Sequence, residues 1–163
     1  MIRYTTGNLL LADVDALVNA VNTVGVMGKG IALQFKQAFP RNFISYREAC
    51  KRGTVVVGRM FVTETDRLHG PRWIINFPTK KEWRHPSKLE YVREGLVDLA
   101  RVIGQYDMKS IALPPLGCGY GGLDWSQVKQ AIEAALAEVP DVDVLVYPPT
   151  DEYQTTPERS GVE

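Results

Sequence analysis

The chain reads as an α/β domain of three layers, with a mixed central sheet flanked by helices on both faces. Three observations predict it. Strand-like and helix-like apolar patterns take turns along almost the whole length. The strand runs are apolar at consecutive positions, as in Ala16–Val21 and Ser110–Leu113, which is the pattern of strands covered on both faces. Glycine-rich stretches stand where strands pass into helices. The 163 residues suit one domain, and a hydrophobic content of 45% supplies it with a core.

Taken in order, residues 2–5 form a short strand and Ala16–Val21 a second. An amphipathic helix over 31–39 is closed by Pro40, and another over 42–51 ends at Gly53. Residues 58–65 and 72–77 read as two strands joined by a polar turn holding His69, Gly70 and Pro71. Ser87 with Glu90 three residues on has the form of a capping box, after which Leu89, Val92, Leu96, Leu99 and Ile103 recur on one helical face. Ser110–Leu113 is a short buried strand, and Asp124 with Gln127 caps a helix whose inner stripe is Val128, Ile132 and Leu136. Val142, Val144 and Val146 alternate as a last strand. Residues 149–163, with prolines, threonines and no apolar period, read as a polar tail or linker beyond a domain spanning 1–148.

Charge and cysteine count exclude several classes. Nineteen basic and nineteen acidic side chains balance, so bulk attraction to nucleic acid is not available, although a local basic strip is. The chain has no long uninterrupted apolar run and no basic-then-apolar start, so neither a membrane span nor a secretory leader is expected. Cys50 and Cys118 are too few for a disulfide framework and have no zinc spacing, which points to a reducing cytoplasm and to no metal site. His69 and His85 read as surface histidines, and Cys118 as a small buried residue without a catalytic partner.

Two loops carry the chemistry. The first, residues 22–30, runs Asn22-Thr23-Val24-Gly25-Val26-Met27-Gly28-Lys29-Gly30 between a strand and a helix. Backbone N–H groups converge at such a junction and the helix dipole favours negative charge, so it suits phosphate. It matches neither the GxGxxG dinucleotide pattern nor a Walker A loop, because no Ser or Thr follows Gly28-Lys29. The second, residues 114–123, carries Gly117, Gly119, Gly121 and Gly122 before the helix capped by Asp124. If their strands are neighbours, the two loops line one crevice sized for a diphosphate.

The residues Asp15 to Asn22, then Gly28-Lys29-Gly30-Ile31-Ala32, and later Leu116-Gly117-Cys118-Gly119, resemble the macrodomain family of ADP-ribose binders. Asn76-Phe77-Pro78-Thr79-Lys80 and Gly117 to Trp125 sharpen the likeness to its antitoxin branch, DNA ADP-ribosyl glycohydrolases paired with a DNA ADP-ribosyltransferase toxin. The resemblance spans roughly residues 1–148. It implies that Asn8 and Leu9 meet adenine, that Tyr147 stacks beside it, and that Asn19 and Asn22 are the family's paired ADP-ribose-binding asparagines, the second of which reaches the distal ribose. It implies that Gly28, Lys29, Gly30, Ile31 and Thr79, with Gly117, Cys118, Gly119, Tyr120, Gly121 and Gly122, surround the phosphates and the distal sugar without a metal or cofactor.

Lys80 stands where the branch places its catalytic lysine, either attacking the anomeric carbon or positioning it while the base departs. Neighbouring Lys81 and Arg84, together with partial burial against a ligand, are expected to lower its pKa. Related glycohydrolases have an acidic residue where this chain has Gly121, which leaves no carboxylate base apart from the helix-capping Asp124. Lys81, Trp83 and Arg84 interleave cations with an aromatic and are expected to contact single-stranded DNA, a cheaper substrate than a duplex that must extrude its base. The implied partners are ADP-ribosylated single-stranded DNA and the toxin, the latter engaged through a C-terminal region beyond residue 163. The alternatives are a non-catalytic ADP-ribose reader and a hydrolase of protein-linked ADP-ribose or O-acetyl-ADP-ribose.

Overall fold

The computed structural model describes residues 1–150. Six strands form one sheet: β1 (Ile2–Tyr4), β2 (Ala16–Val21), β3 (Phe61–Glu64), β4 (Trp73–Pro78), β5 (Ser110–Leu113) and β6 (Asp143–Val146). Four helices join them: α1 (Gly30–Ala38), α2 (Pro40–Lys51), α3 (Leu89–Gln105) and α4 (Trp125–Leu136). The spatial order is β1-β6-β5-β2-β4-β3, with β3 antiparallel to β4 and every other pairing parallel. The expected mixed sheet with helices on both faces is what forms.

Strand alternation divides the core. Ala16, Val18, Ile75 and Phe77 pack with Val92, Leu96, Leu99 and Ile103 of α3 and with Val128, Ile132 and Leu136 of α4. Leu17, Ile74 and Ala112 face the other way, onto Phe35 and Phe39. The inner strands β2, β4 and β5 are therefore covered on both sides, which is why their sequences are mostly apolar at consecutive positions. The four α3 residues are essentially inaccessible, and each contributes about 1.5–3 kcal/mol of burial free energy.

One expectation at a helix start fails. α3 begins at Leu89 with Lys88 at the N-cap and no side-chain cap, so Ser87 and Glu90 make no capping box. Ser87 is held elsewhere: it is buried, its N–H donates to the carbonyl of Gly121 (3.0 Å), and its hydroxyl has no partner among the described residues. Docking onto the second glycine loop removes it from the helix. At α4 the expectation holds, with Asp124 accepting from the N–H of Gln127 (3.2 Å). Of the polar tail only Pro149 and Thr150 are described, and Thr150, with Pro148, lines a cleft at the ends of the parallel strands; the rest lies outside the described residues.

Candidate active site

Because β1, β6, β5, β2 and β4 are parallel, the segments leaving them emerge along one edge of the sheet. Strand order reverses between β5 and β2, and the loops after these two strands open a crevice there. A cleft of about 760 Å³ occupies it. Its walls include Asn8 and Leu9 after β1, Asn22 and residues 28–31 after β2, Thr79, Lys80 and Trp83 after β4, Gly117, Gly119, Tyr120 and Gly121 after β5, and Tyr147 after β6. The two loops thus line the same cavity.

The first loop is built around Asn22. Its Oδ1 accepts from the N–H of Val24 (3.1 Å), the N–H of Val26 (3.3 Å) and the hydroxyl of Tyr46 (2.8 Å), while its Nδ2 donates to the carbonyl of Val26 (2.8 Å). One amide hydrogen is left for a ligand. The expected ribose residue is thus first a loop anchor. Tyr46, on the inner face of α2, is a supporting residue that reading by motif missed, since helical periodicity marks it only as core. The loop delivers α1 with Lys29 at the N-cap and no side-chain cap, so the first N–H groups of α1 face the cleft unpaired within the helix. Gly30 adopts φ +57°, which favours glycine, and a Cβ there would only reach contact with the Tyr120 ring at 3.4 Å.

In the second loop the N–H of Cys118 donates to Pro115 (2.9 Å) and that of Gly122 to Gly119 (3.3 Å). Neither residue lines the cleft, so their expected phosphate contacts are replaced by bonds that shape the loop. Gly117, Gly119 and Gly121 do line it. A Cβ on Gly121 would overlap the carbonyl of Gly117 and the hydroxyl of Ser87 well inside 3.0 Å, so no acidic side chain fits this loop as it stands. Burial, reinforced by the carboxylate of Asp124, pushes the Cys118 thiol up to about 12, which leaves it protonated and unsuited to nucleophilic work.

Asn19 also lies outside the cleft. It is fully buried beneath it, with Nδ2 donating to Asn76 Oδ1 (3.4 Å) and to the sulfur of Met27 (3.8 Å). Asn76 and Asn42 exchange amide bonds of 2.9 and 3.1 Å, and Thr63 adds a fourth member through Asn42. This network ties β2, β4, β3 and α2 to the residue below the first loop. Asn19, expected among the ADP-ribose-binding residues, lies beneath the cleft floor, and the asparagine expected at the distal ribose, Asn22, is the one that lines the cleft. At the other end, Asn8 lines the cleft, but its Oδ1 already accepts from the N–H of Leu10 (3.0 Å), leaving one lone pair for an adenine amino group. Tyr147 is half-buried beside Leu9.

The β2–β4 ladder delivers Lys80. Thr79 N–H donates to the carbonyl of Val21 (2.8 Å), and Thr23 donates to the carbonyl of Lys81 through its N–H (3.1 Å) and hydroxyl (2.7 Å). Lys80 is held between these ties, and its side chain enters the cleft. Its Nζ donates to the carbonyls of Trp83 (3.3 Å) and Tyr120 (3.2 Å), so the amine touches the second loop. Burial lowers its pKa, and the ammonium of Lys29 on the first loop lowers it further. The neighbouring charge is Lys29, where Lys81 and Arg84 were expected. Lys81 and Arg84 stand on the rim outside the cleft, while Trp83 lines its mouth.

A parallel-centred sheet with two glycine loops facing each other across its switch point is an arrangement that macrodomains have, and the chain belongs to that family: the Macro domain matches residues 18–132. Within the family it is 59% identical over 150 residues to the DNA ADP-ribosyl glycohydrolase of Mycobacterium tuberculosis, covering 92% of this chain and 43% of that protein. The Thermus aquaticus protein of the same name is 59% identical over 151 residues, 93% of this chain and 42% of that one. The chain therefore spans less than half the length of these curated relatives. The solved macrodomain of Mycobacterium tuberculosis DarG superposes with a TM-score of 0.91 at 59% identity, covering 92% of this chain and 99% of that one. Thermosipho africanus DarTG in complex with ADP-ribose superposes with a TM-score of 0.85 at 28% identity, covering 96% of this chain and 45% of that one. No described helix is long and apolar enough to cross a membrane.

Proposed function

We propose that this domain is a DNA ADP-ribosyl glycohydrolase, which releases ADP-ribose from a thymine base in single-stranded DNA and so reverses the action of a DarT-like toxin. The observation that carries the reading is the half-buried Lys80 amine at the meeting point of the two loops, in a family whose ligand is ADP-ribose. The DarG likeness and the ADP-ribose complex of the Thermosipho relative support the ligand and the reaction class. On this reading adenine lies between Asn8, Leu9 and Tyr147, the diphosphate spans the N-terminus of α1 and the second loop, and the distal ribose reaches Lys80. The toxin is engaged through a region C-terminal to residue 163, and the domain over 1–148 acts on DNA in the cytoplasm.

The amine has two routes. As a nucleophile, its lone pair forms a bond to the anomeric carbon as the glycosidic bond breaks, and the base leaves with the bonding electrons and takes up a proton. The glycosylamine loses a proton from nitrogen, its C1–ring-oxygen bond breaks with the oxygen taking up a proton, and the resulting Schiff base, the species borohydride reduces, is hydrolysed by water to ADP-ribose and the free amine. As a positioning group, it holds the sugar while water attacks. Lowering the amine's pKa favours the first by raising the neutral fraction.

The test uses oligonucleotide carrying ADP-ribose on thymine and, separately, ADP-ribosylated protein. Release from DNA, and its loss in Lys80→Ala with ADP-ribose affinity kept, is the expected result. Release that survives this substitution defeats the assignment of Lys80, and binding without release leaves a reader of ADP-ribose. Borohydride under turnover traps Lys80 only on the covalent route.

A further inference from the structure

Beyond the cleft mouth the surface carries four cations arranged on aromatic rings. Arg84 lies over the Trp83 ring at 5.0 Å from its centre, and Trp83 is itself 45% exposed beside Lys80. Lys81 and Lys88 both bring their ammonium groups to one ring, Tyr91, at 5.8 and 5.7 Å. Lys29 lies over Tyr120 on the other side of the cleft at 5.4 Å. The N-terminus of α3, which starts at Leu89 with Lys88 at the N-cap and no side-chain cap, adds its dipole to the same rim. Acidic groups nearby are Glu82, which pairs with Arg84 (3.2 Å) and faces His85 (3.9 Å), and Glu90 in the first turn of α3. Lys81 and Lys88 form no ion pair among the described residues.

We propose that this rim is a track for the single strand: the nucleotide next to the modified base stacks on Trp83, and the following phosphates lie on Lys81 and Lys88, braced by Tyr91. It rests on the proposed function and adds the direction in which the strand leaves the site. The chemistry fits a polynucleotide because it offers both halves of a single-strand site, an exposed ring for a base and unpaired ammonium groups for phosphates. Tyr91 is almost buried, so it braces the lysines and leaves the stacking to Trp83. A chain of zero net charge gains such affinity only from a local strip of this kind.

Fluorescence anisotropy with an unmodified labelled deoxyoligonucleotide of about ten nucleotides, titrated at several salt concentrations, reads the track without any hydrolysis. Each of Lys81→Gln and Lys88→Gln lowers the slope of log affinity against log salt by about 0.7, the single-strand value for one phosphate contact. Trp83→Ala lowers affinity at least about fivefold with the slope unchanged. Lys129→Gln, a lysine likewise set over a tyrosine ring but on α4 at the far edge of the sheet, leaves both unchanged. Slopes unaltered by both rim substitutions overturn the track, as does equal affinity for duplex DNA or for polyglutamate. Binding as described with no release of ADP-ribose from modified DNA refutes the enzyme and keeps the track; release with unaltered slopes does the reverse.

Discussion

Replacing Gly121 by alanine tests how tightly the second loop governs the site. The new Cβ overlaps the carbonyl of Gly117, which is backbone and cannot swing aside, and the hydroxyl of Ser87. Reaching a tolerated separation displaces the loop by about 0.6 to 1 Å, beyond the roughly 0.5 Å within which a working constellation must be held. A misplacement of about 1 Å costs on the order of 100-fold, so a loss of roughly 10- to 100-fold in release of ADP-ribose is expected. The loss is functional because Tyr120, the next residue back, gives Lys80 its carbonyl acceptor at 3.2 Å. Single-turnover release and calorimetric ADP-ribose affinity measure it, and a thermal melt reports a stability loss of about 1–3 kcal/mol. Adding Ser87→Gly restores only part, since the Gly117 carbonyl remains. Gly122→Ala meets open space and bears only the strain of φ +79°, about 1–2 kcal/mol. A Gly121→Ala protein with wild-type affinity and rate refutes the argument.

Removing the like charge in Lys29→Gln lets the Lys80 pKa rise towards its ordinary value, because one of the two causes of its depression is gone. If the neutral amine reacts, the rise of rate with pH moves to higher pH and the rate at neutral pH falls; a pH–rate profile that stays in place rejects that role. Cys118→Ala is expected to retain release, since a thiol held near 12 takes no part, and slow alkylation of the native protein is a second reading of the same fact. Gly95→Ala places a Cβ into the ring of Phe77, with an overpacking cost at the upper end of about 1–3 kcal/mol against a helix-propensity gain of about 1 kcal/mol. A net loss of about 2 kcal/mol in denaturant unfolding is expected, and a midpoint at or above wild type contradicts it.

Local pattern was enough for the elements. The apolar runs of β2 and β5 and the stripe Val92-Leu96-Leu99-Ile103 read correctly because burial on both faces of a strand, or on one face of a helix, leaves a periodicity in the chain itself. Asp124 was legible for the same reason, a cap three residues from the N–H it accepts. Ser87 misled, because the same local signature competes with a partner 34 residues away in the second loop, and nothing nearby records that partner.

The site divides in the same way. Glycine loops at strand ends are local, so both were visible in the sequence as candidate site loops, and the structure brings them to one cleft. Lys80 was marked only through its family block, and no spacing tells that its amine would meet Tyr120, forty residues on, or that Lys29 would supply the like charge. Nor did Asn19 and Asn22 reveal which would lie under the floor and which would brace the wall. Sequence alone determined which stretches are strand, helix and glycine turn, and where α4 starts, because those depend on residues within a few positions. The partners of each polar group depend on strand order, which brings β5 beside β2 and β2 beside β4 across long stretches of chain, and that order exists only once the sheet has formed.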